Sequence, residues 1–328
     1  MRQRTIGTDP RTRREVGVLS LGAMLFGTLT DEPTAFAVLD RFVEAGGTFI
    51  DTSNNYAYWI DGSQGGVSEE VIGRWRAARG ITDEVVIATK VGARPKAPGT
   101  GFVENGEGLG AEAVRASVEA SRKRLGVERL DLLYAHVEDP AVPLAETVRV
   151  FGELVDEGAV GLLGVSNHWS WRVERARHLA ARAGLPGYEV LQYGHSYLRR
   201  RGDWPGLLSA DGDQAAVQGD LISYVRENPE LTLVAYSPLL GGGYVRDDKP
   251  LGPSFDHAGT PARLAALDTV ARQTGATRNQ VVLAWLVDGP VPCIPLVGAS
   301  SVAQLDESLA ALDLELTEDQ RRLLDAAR

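Results

Sequence analysis

Short β-branched runs alternate with helical stretches about eight times along this 328-residue chain, with no linker between them. Strands are expected near 18–22, 48–51, 85–90, 130–135, 160–165, 188–192, 231–235 and 293–296. The first helix opens at Asp31-Glu32-Pro33, an N-cap, an early acid and a proline, and it ends at Gly46-Gly47. Further helices are expected near 67–79, 111–125, 144–157, 170–183, 218–227, 261–274 and 278–287, and two more, near 301–311 and 317–327, close the chain. Strand–helix alternation implies parallel strands joined by right-handed crossovers. Eight such units predict an α/β fold of the closed kind, a (β/α)8 TIM barrel, rather than an open sheet. The whole chain, 1–328, is expected to form that single domain. Arg4-Thr5-Ile6 and Arg14-Glu15-Val16 flank the turn Gly7-Thr8-Asp9-Pro10, which predicts a leading β-hairpin that closes the bottom of the barrel.

In such a barrel, groups at the C-terminal ends of strands face one site. Four reactive side chains fall there. Asp51 ends the run Thr48-Phe49-Ile50, and Tyr56 follows five positions later. Lys90 closes Val85-Val86-Ile87-Ala88-Thr89, and His136 closes Leu130-Asp131-Leu132-Leu133-Tyr134-Ala135. Only four lysines occur among the 34 basic residues, so a lysine at a strand end stands out. A free phenol has a pKa of about 10, and a nearby ammonium is expected to lower it. Lys90 would supply that ammonium, Asp51 would hold Lys90, and His136 would orient a substrate oxygen or share its proton. The set suits protonation of an oxyanion as a carbonyl is reduced, or the reverse. Lys90 alone also fits a Schiff-base lyase.

Composition narrows the partners. A net charge of −10 argues against nucleic acid. One cysteine, Cys293, excludes an internal disulfide and fits a reducing compartment. No signal core follows Met1, and no apolar run nears the ~20 residues of a membrane helix, so a cytoplasmic protein without a membrane partner is expected. Asp51, His136, Glu138 and His168 show no metal-ligand spacing, and no metal is expected. A small-molecule substrate remains. Three connections exceed the usual length, 92–110, 194–217 and 239–260, and all follow strands. Met24, Phe26, Tyr58, Trp59 and Trp204, all in loops, are candidates to line an apolar substrate pocket.

The chain is similar to aldo-keto reductases over nearly its whole length. The likeness is carried by Gly47-Thr48-Phe49-Ile50-Asp51-Thr52-Ser53 with Tyr56, by Ala88-Thr89-Lys90, by Asp131-Leu132-Leu133-Tyr134-Ala135-His136 and by Gly164-Val165-Ser166-Asn167. The resemblance implies a barrel that binds NADP(H) and reduces aldehydes or ketones, with Asp51, Tyr56, Lys90 and His136 as the catalytic tetrad. It also implies that Ser166, Asn167 and Gln192 hold the nicotinamide carboxamide and that Tyr236 stacks on the ring. Ser237 and Leu239 fall at pyrophosphate positions, and Gly298, Ser300, Gln304, Glu307 and Ser308 fall at adenosine-phosphate positions. The sequence departs from the family at Ser308, where many members have Asn, at Val137, where an aromatic often stands, and in having no Arg or Lys from 294 to 308. Hydroxyls and backbone N–H groups are left to bind a 2′-phosphate, and NADP(H) is expected over NADH. The family also includes cofactor-binding regulatory subunits without turnover, which is a further expectation to weigh.

Overall fold

Every residue of Val86–Val91 and of Val160–Ser166 is buried, the pattern of strands covered on both faces. The computed structural model describes residues 1–206 and 208–328, with Glu104 described by its backbone alone. β1 (Gln3–Ile6) and β2 (Arg14–Gly17) pair antiparallel. The remaining strands are β3 (Ser20–Gly22), β4 (Phe49–Asp51), β5 (Val86–Val91) and β6 (Leu130–Ala135). They continue with β7 (Val160–Ser166), β8 (Val190–Gly194), β9 (Thr232–Tyr236) and β10 (Cys293–Gly298). These eight close into a parallel barrel, with β10 returning to β3. The fold is the (β/α)8 TIM barrel with an N-terminal hairpin.

Side chains alternate between the two faces of each strand, and this parity sets what points inward. Phe49, Val86, Leu132, Leu162, Val190, Val234 and Ile294 form the inner cluster, joined by Ile6 and Val16 of the hairpin. The hairpin therefore fills the N-terminal mouth, as the sequence implies. The neighbours of opposite parity, Ile50, Ile87, Leu133, Leu163, Leu191 and Leu233, pack outward against helices through Val38, Leu39, Phe42 and Val148. The same parity places Asp51, two residues past Phe49, Tyr134, two past Leu132, and Lys90, four past Val86, inside, with Lys90 in register with Tyr134.

Tyr134 fits because its neighbour in register is Gly164. A Cβ on Gly164 would lie 2.4 Å from the Tyr134 ring and 2.8 Å from Val190 O. The helix Glu32–Glu44 is capped by Asp31, which accepts from Thr34 N at 3.0 Å. Helices Val302–Ala310 and Glu318–Ala326 close the chain.

Strand ends differ from the expected bounds by one or two residues. β8 starts at Val190 rather than 188, because Tyr188 packs edge-on against Phe151 while the ladder pairs only from Val190. β9 runs to Tyr236, because Gly194 pairs with it. Gln192 thus sits within a strand, and Tyr236 ends one. The loops also hold two short helices that the sequence does not announce, Tyr58–Asp61 and Phe102–Asn105. No described helix is long and apolar enough to cross a membrane.

Candidate active site

β4 and β5 bring Asp51 and Lys90 side by side at the C-terminal mouth, and both are fully buried. The Lys90 ammonium donates to Asp51 Oδ1, to Thr52 O at 2.8 Å and to the Tyr56 hydroxyl at 2.7 Å. Three protons meet three acceptors. Gln192 Nε2 donates to the other carboxylate oxygen, Asp51 Oδ2, at 2.7 Å. Asp51 is thereby held at both oxygens. The Tyr56 hydroxyl lies 3.2 Å from Asp51 Oδ1, a long contact for an O–H donor.

His136 leaves the end of β6, and its ring meets that of Tyr56 edge-on at 6.1 Å. Its Nδ1 lies 3.2 Å from Ser53 Oγ. All four groups of the expected tetrad come together. The turn that carries Tyr56 is pinned from outside: Glu107 Oε1 accepts from Asn54 Nδ2 at 2.8 Å and from Gly92 N at 2.6 Å.

The electrostatics correct one expectation. The sequence reading has Lys90 lowering the Tyr56 pKa. In the folded chain burial raises it well above 10, and the Asp51 charge adds to the rise. Desolvation and a carboxylate outweigh the ammonium, so the phenol is protonated at neutral pH. Burial also draws the Lys90 ammonium down from its ordinary value, while Asp51 opposes that. Burial, with the Lys90 charge beside it, holds the His136 imidazole well below 6.5, so it is uncharged.

Next to the tetrad, Asn167 Nδ2 donates to His136 O at 2.9 Å and to Ser166 Oγ at 3.0 Å. The Tyr236 hydroxyl reaches Asn167 Oδ1 at 2.9 Å and Ala215 O at 3.0 Å. The second long loop therefore folds onto the site, and Gly194 N donates to Ala215 O at 2.7 Å. Asn167, Ser237 and Ala57 have left-handed backbones, with φ of 59°, 52° and 65°. Such non-glycine positions cost about 1–3 kcal/mol each and gather at functional sites.

β10 carries the remaining expected positions. Gly298 pairs with Gly22, which pairs with Asp51, so Gly298 leaves the barrel level with the tetrad. Ser300 N and Oγ both donate to Gln304 Oε1, at 2.9 and 3.0 Å. Ser301 caps the helix Val302–Ala310. Glu307 Oε1 accepts from Thr277 Oγ1 at 2.8 Å and from Asn279 Nδ2 at 3.4 Å, and Ser308 Oγ donates to Gln304 O at 3.3 Å.

Of the pocket candidates, Met24 and Trp59 are exposed at 43% and 48%, and Tyr58 packs edge-on against Trp59 at 5.2 Å. Trp204 is half-buried. Phe26 is a correction: at 1% exposure it belongs to the core between barrel and helices and has no surface for a substrate. Its phenyl ring satisfies the apolar interior, where a loop position was expected to face outward.

The sequence reading passes over Tyr134 and Asn279, and it gives Gln192 a nicotinamide contact alone. Tyr134 lies inside the barrel by parity with His136, and its buried hydroxyl has no hydrogen-bond partner. Gln192 is bonded to Asp51, a role that spacing alone does not disclose. Asn279 is 5% exposed, and its Oδ1 is unpartnered. Among the described residues no group of three His, Cys, Asp or Glu could hold a metal.

A family model described as "Aldo/keto reductase family" matches residues 18–328. The uncharacterized oxidoreductase YrpG of Bacillus subtilis is 30% identical, the match covering 96% of this chain and 93% of the relative. Norsolorinic acid reductase B of Aspergillus parasiticus is 29% identical over 97% of this chain and 82% of its own. An aryl-alcohol dehydrogenase of Pestalotiopsis microspora is 28% identical over 94% of this chain and 78% of its own.

Proposed function

The chain belongs to the aldo/keto reductase family, and from that premise we propose that it is an NADP(H)-dependent reductase of aromatic aldehydes or ketones, with Tyr56 as its proton donor. The observation that carries this reading is the Asp51–Lys90–Tyr56 chain, in which the ammonium donates to the phenol oxygen at 2.7 Å.

Because that oxygen accepts from Lys90, the phenol's own proton is free to leave its long contact with Asp51. It turns to the oxygen of a bound carbonyl. When the carbonyl carbon takes a hydride, the oxygen becomes strongly basic and Tyr56 gives it the proton. The phenolate left behind is stabilised by the Lys90 charge. Asp51, fixed by Gln192, keeps Lys90 charged and aimed. The nicotinamide, when bound, supplies the hydride.

The residues present fit a dinucleotide. Gly298 has open space where a Cβ would stand. The backbone N–H groups that begin Val302–Ala310 suit a phosphate. The orphaned, buried Asn279 Oδ1 beside Glu307 suits the amino group of a purine, and supplies an amide near where Ser308 lacks one. Ser166, Asn167 and Tyr236 would hold and cover the nicotinamide, while Ser237, Leu239, Ser300 and Gln304 would meet the phosphates. The preference for NADP(H) rests on the Ser300 and Ser301 hydroxyls and that helix start.

The exposed Met24 and Trp59 beside the mouth favour an apolar, aromatic substrate, as do the names of the relatives. A Schiff-base role for Lys90 is disfavoured, because its three protons are engaged and it is buried. Fluorescence titration with NADPH and NADH, followed by turnover of aromatic aldehydes, tests the reading. Failure to bind either nucleotide would sink it. Binding without turnover would leave a regulatory cofactor-binding subunit.

A further inference from the structure

The long loop after β5 turns back on itself. Glu107 N donates to Arg94 O at 2.8 Å and Lys96 N to Asn105 O at 2.9 Å, so residues 92–96 and 105–108 run side by side. The returning segment reads Gly106-Glu107-Gly108. A Cβ on Gly106 would stand 2.6 Å from Phe102 O, and Gly108 has a φ of 76°. Two glycines that the backbone requires thus flank one side chain, that of Glu107.

Glu107 accepts three hydrogen bonds from three elements. Oε1 takes Asn54 Nδ2 at 2.8 Å and Gly92 N at 2.6 Å, and Oε2 takes Ser117 Oγ at 2.6 Å. Gly92 stands two residues after Lys90, and Asn54 two before Tyr56. One carboxylate therefore bridges the end of β5 and the turn between Asp51 and Tyr56. The helix Ala111–Leu125, which carries Ser117, steadies its far side. Asn54 is 0% exposed, and its Oδ1 has no partner. Among the described residues, the bond to Glu107 is then the only one that the Asn54 side chain makes. Without Glu107 a buried amide would have no partner, and the buried Gly92 N would lose its acceptor. Lys90 and Tyr56 must meet at 2.7 Å across the same two segments. Backbone bonds join those segments from Thr52 N to Ala88 O, at 2.8 Å, and from Asn54 N to Lys90 O, at a longer 3.2 Å. Past that bond, Glu107 and the Asn55 amide, which donates to Ala93 O at 3.0 Å, carry the pairing on.

We infer that Glu107 is a positioning residue for the reaction, setting the Lys90 ammonium against the Tyr56 phenol through Gly92 and Asn54. This rests on the reductase reading. Glu107 acts through the turn and the strand end, and its loss lets one slide against the other. A proton donor displaced by about 1 Å loses up to roughly 10²-fold in rate. All three partners of Glu107 are neutral donors, so the contacts call for acceptor geometry rather than for charge.

The test compares Glu107→Ala with Glu107→Gln. A glutamine oxygen can accept from both Asn54 and Gly92, and its amide nitrogen can donate to the Ser117 hydroxyl. Glu107→Ala should lower kcat for aromatic aldehydes by at least about tenfold, with the Kd for NADPH within about threefold. Glu107→Gln should recover kcat to within about threefold of the unaltered chain. Hydrogen exchange reads the same tie without turnover. The Asn54 and Tyr56 amides should exchange at least about tenfold faster in Glu107→Ala but not in Glu107→Gln, while Leu133 on β6 stays protected. An undiminished kcat in Glu107→Ala, or an equal loss in Glu107→Gln, would overturn the inference. So would a Kd for NADPH weakened as much as kcat, which would move Glu107 to cofactor binding. If Glu107→Ala does not fold, Asn54→Ala decides, since it frees the turn alone from the carboxylate: a kcat loss of about tenfold supports the inference and an unchanged kcat overturns it. Absence of turnover in the unaltered chain with every carbonyl tried would count against the reductase reading. Unchanged exchange at Asn54 and Tyr56 in Glu107→Ala would count against the positioning role by itself.

Discussion

The Lys90 ammonium donates to the Tyr56 phenol oxygen at 2.7 Å, across a separation of 34 residues. That bond leaves the phenol proton as the group's only donor, and the site offers it no short acceptor: Asp51 Oδ1 is 3.2 Å away. The hydroxyl is poised to serve an incoming oxygen.

Tyr56→Phe removes that proton and little else. Nucleotide affinity in the fluorescence titration should stay within about threefold, while kcat falls by roughly 10²-fold or more, the usual scale for a general acid. A variant that turns over at the original rate would take Tyr56 out of the chemistry.

Lys90 and Asp51 form a buried ion pair, with side chains 1% and 0% exposed. Removing one partner of such a pair strands the other charge, at about 3–5 kcal/mol. Lys90→Met should therefore lower stability to chemical denaturation by that order as well as abolish turnover. Adding Asp51→Asn removes the stranded charge and should recover much of the stability, but none of the activity. If the double variant is no more stable than Lys90→Met, the loss lies in packing rather than in charge.

Burial draws His168 and His195 from 6.5 down to about 4. In the unfolded chain each takes up a proton near 6.5, and in the folded chain only near about 4. Between those values the unfolded state binds more protons. The stability these groups confer is complete above about 6.5 and is lost as pH falls toward about 4. His168 Nδ1 donates to Ser166 O at 2.7 Å, a bond that a glutamine amide can replace. Unfolding free energies of His168→Gln, measured across that window, should vary less steeply with pH than those of the unaltered chain. An unchanged slope would place the acid sensitivity elsewhere.

The barrel is legible in the sequence because short β-branched apolar runs alternating with 3.6-period stretches admit few other folds. The tetrad is legible because strand ends of a parallel barrel share one face, so Asp51, Lys90 and His136 converge without any knowledge of distance. Charge balance was not legible. Whether Lys90 or burial dominates Tyr56 depends on how much water the fold excludes, which no residue pattern records. Phe26 fails for a related reason: an aromatic in a glycine-flanked loop reads the same whether it faces a cleft or the core. Tyr134 and Gly164 are readable only once the β6–β7 register is known, since a shift of one residue would part them. Gln192 is read from the sequence only as a cofactor contact, because its bond to Asp51 crosses the barrel, and β4 and β8 are not neighbours in the sheet.

Asn279 is the last case, because its burial and its bonding disagree. Its Nδ2 has a 3.4 Å contact with Glu307, while its buried Oδ1, in a residue 5% exposed, has none. An unsatisfied buried amide oxygen costs about 1–3 kcal/mol, a cost that a purine amino group would relieve on binding. Asn279→Ala should then weaken NADPH by roughly tenfold in Kd with no change in the stability of the nucleotide-free chain beyond about 1 kcal/mol, since there the amide loses only a long Nδ2 contact and relieves an unpaired oxygen. Nicotinamide hypoxanthine dinucleotide phosphate, which presents an oxygen in place of the amino group, should bind both forms alike. If Asn279→Ala weakens both nucleotides equally, the residue supports the helix start at Thr277 rather than the base.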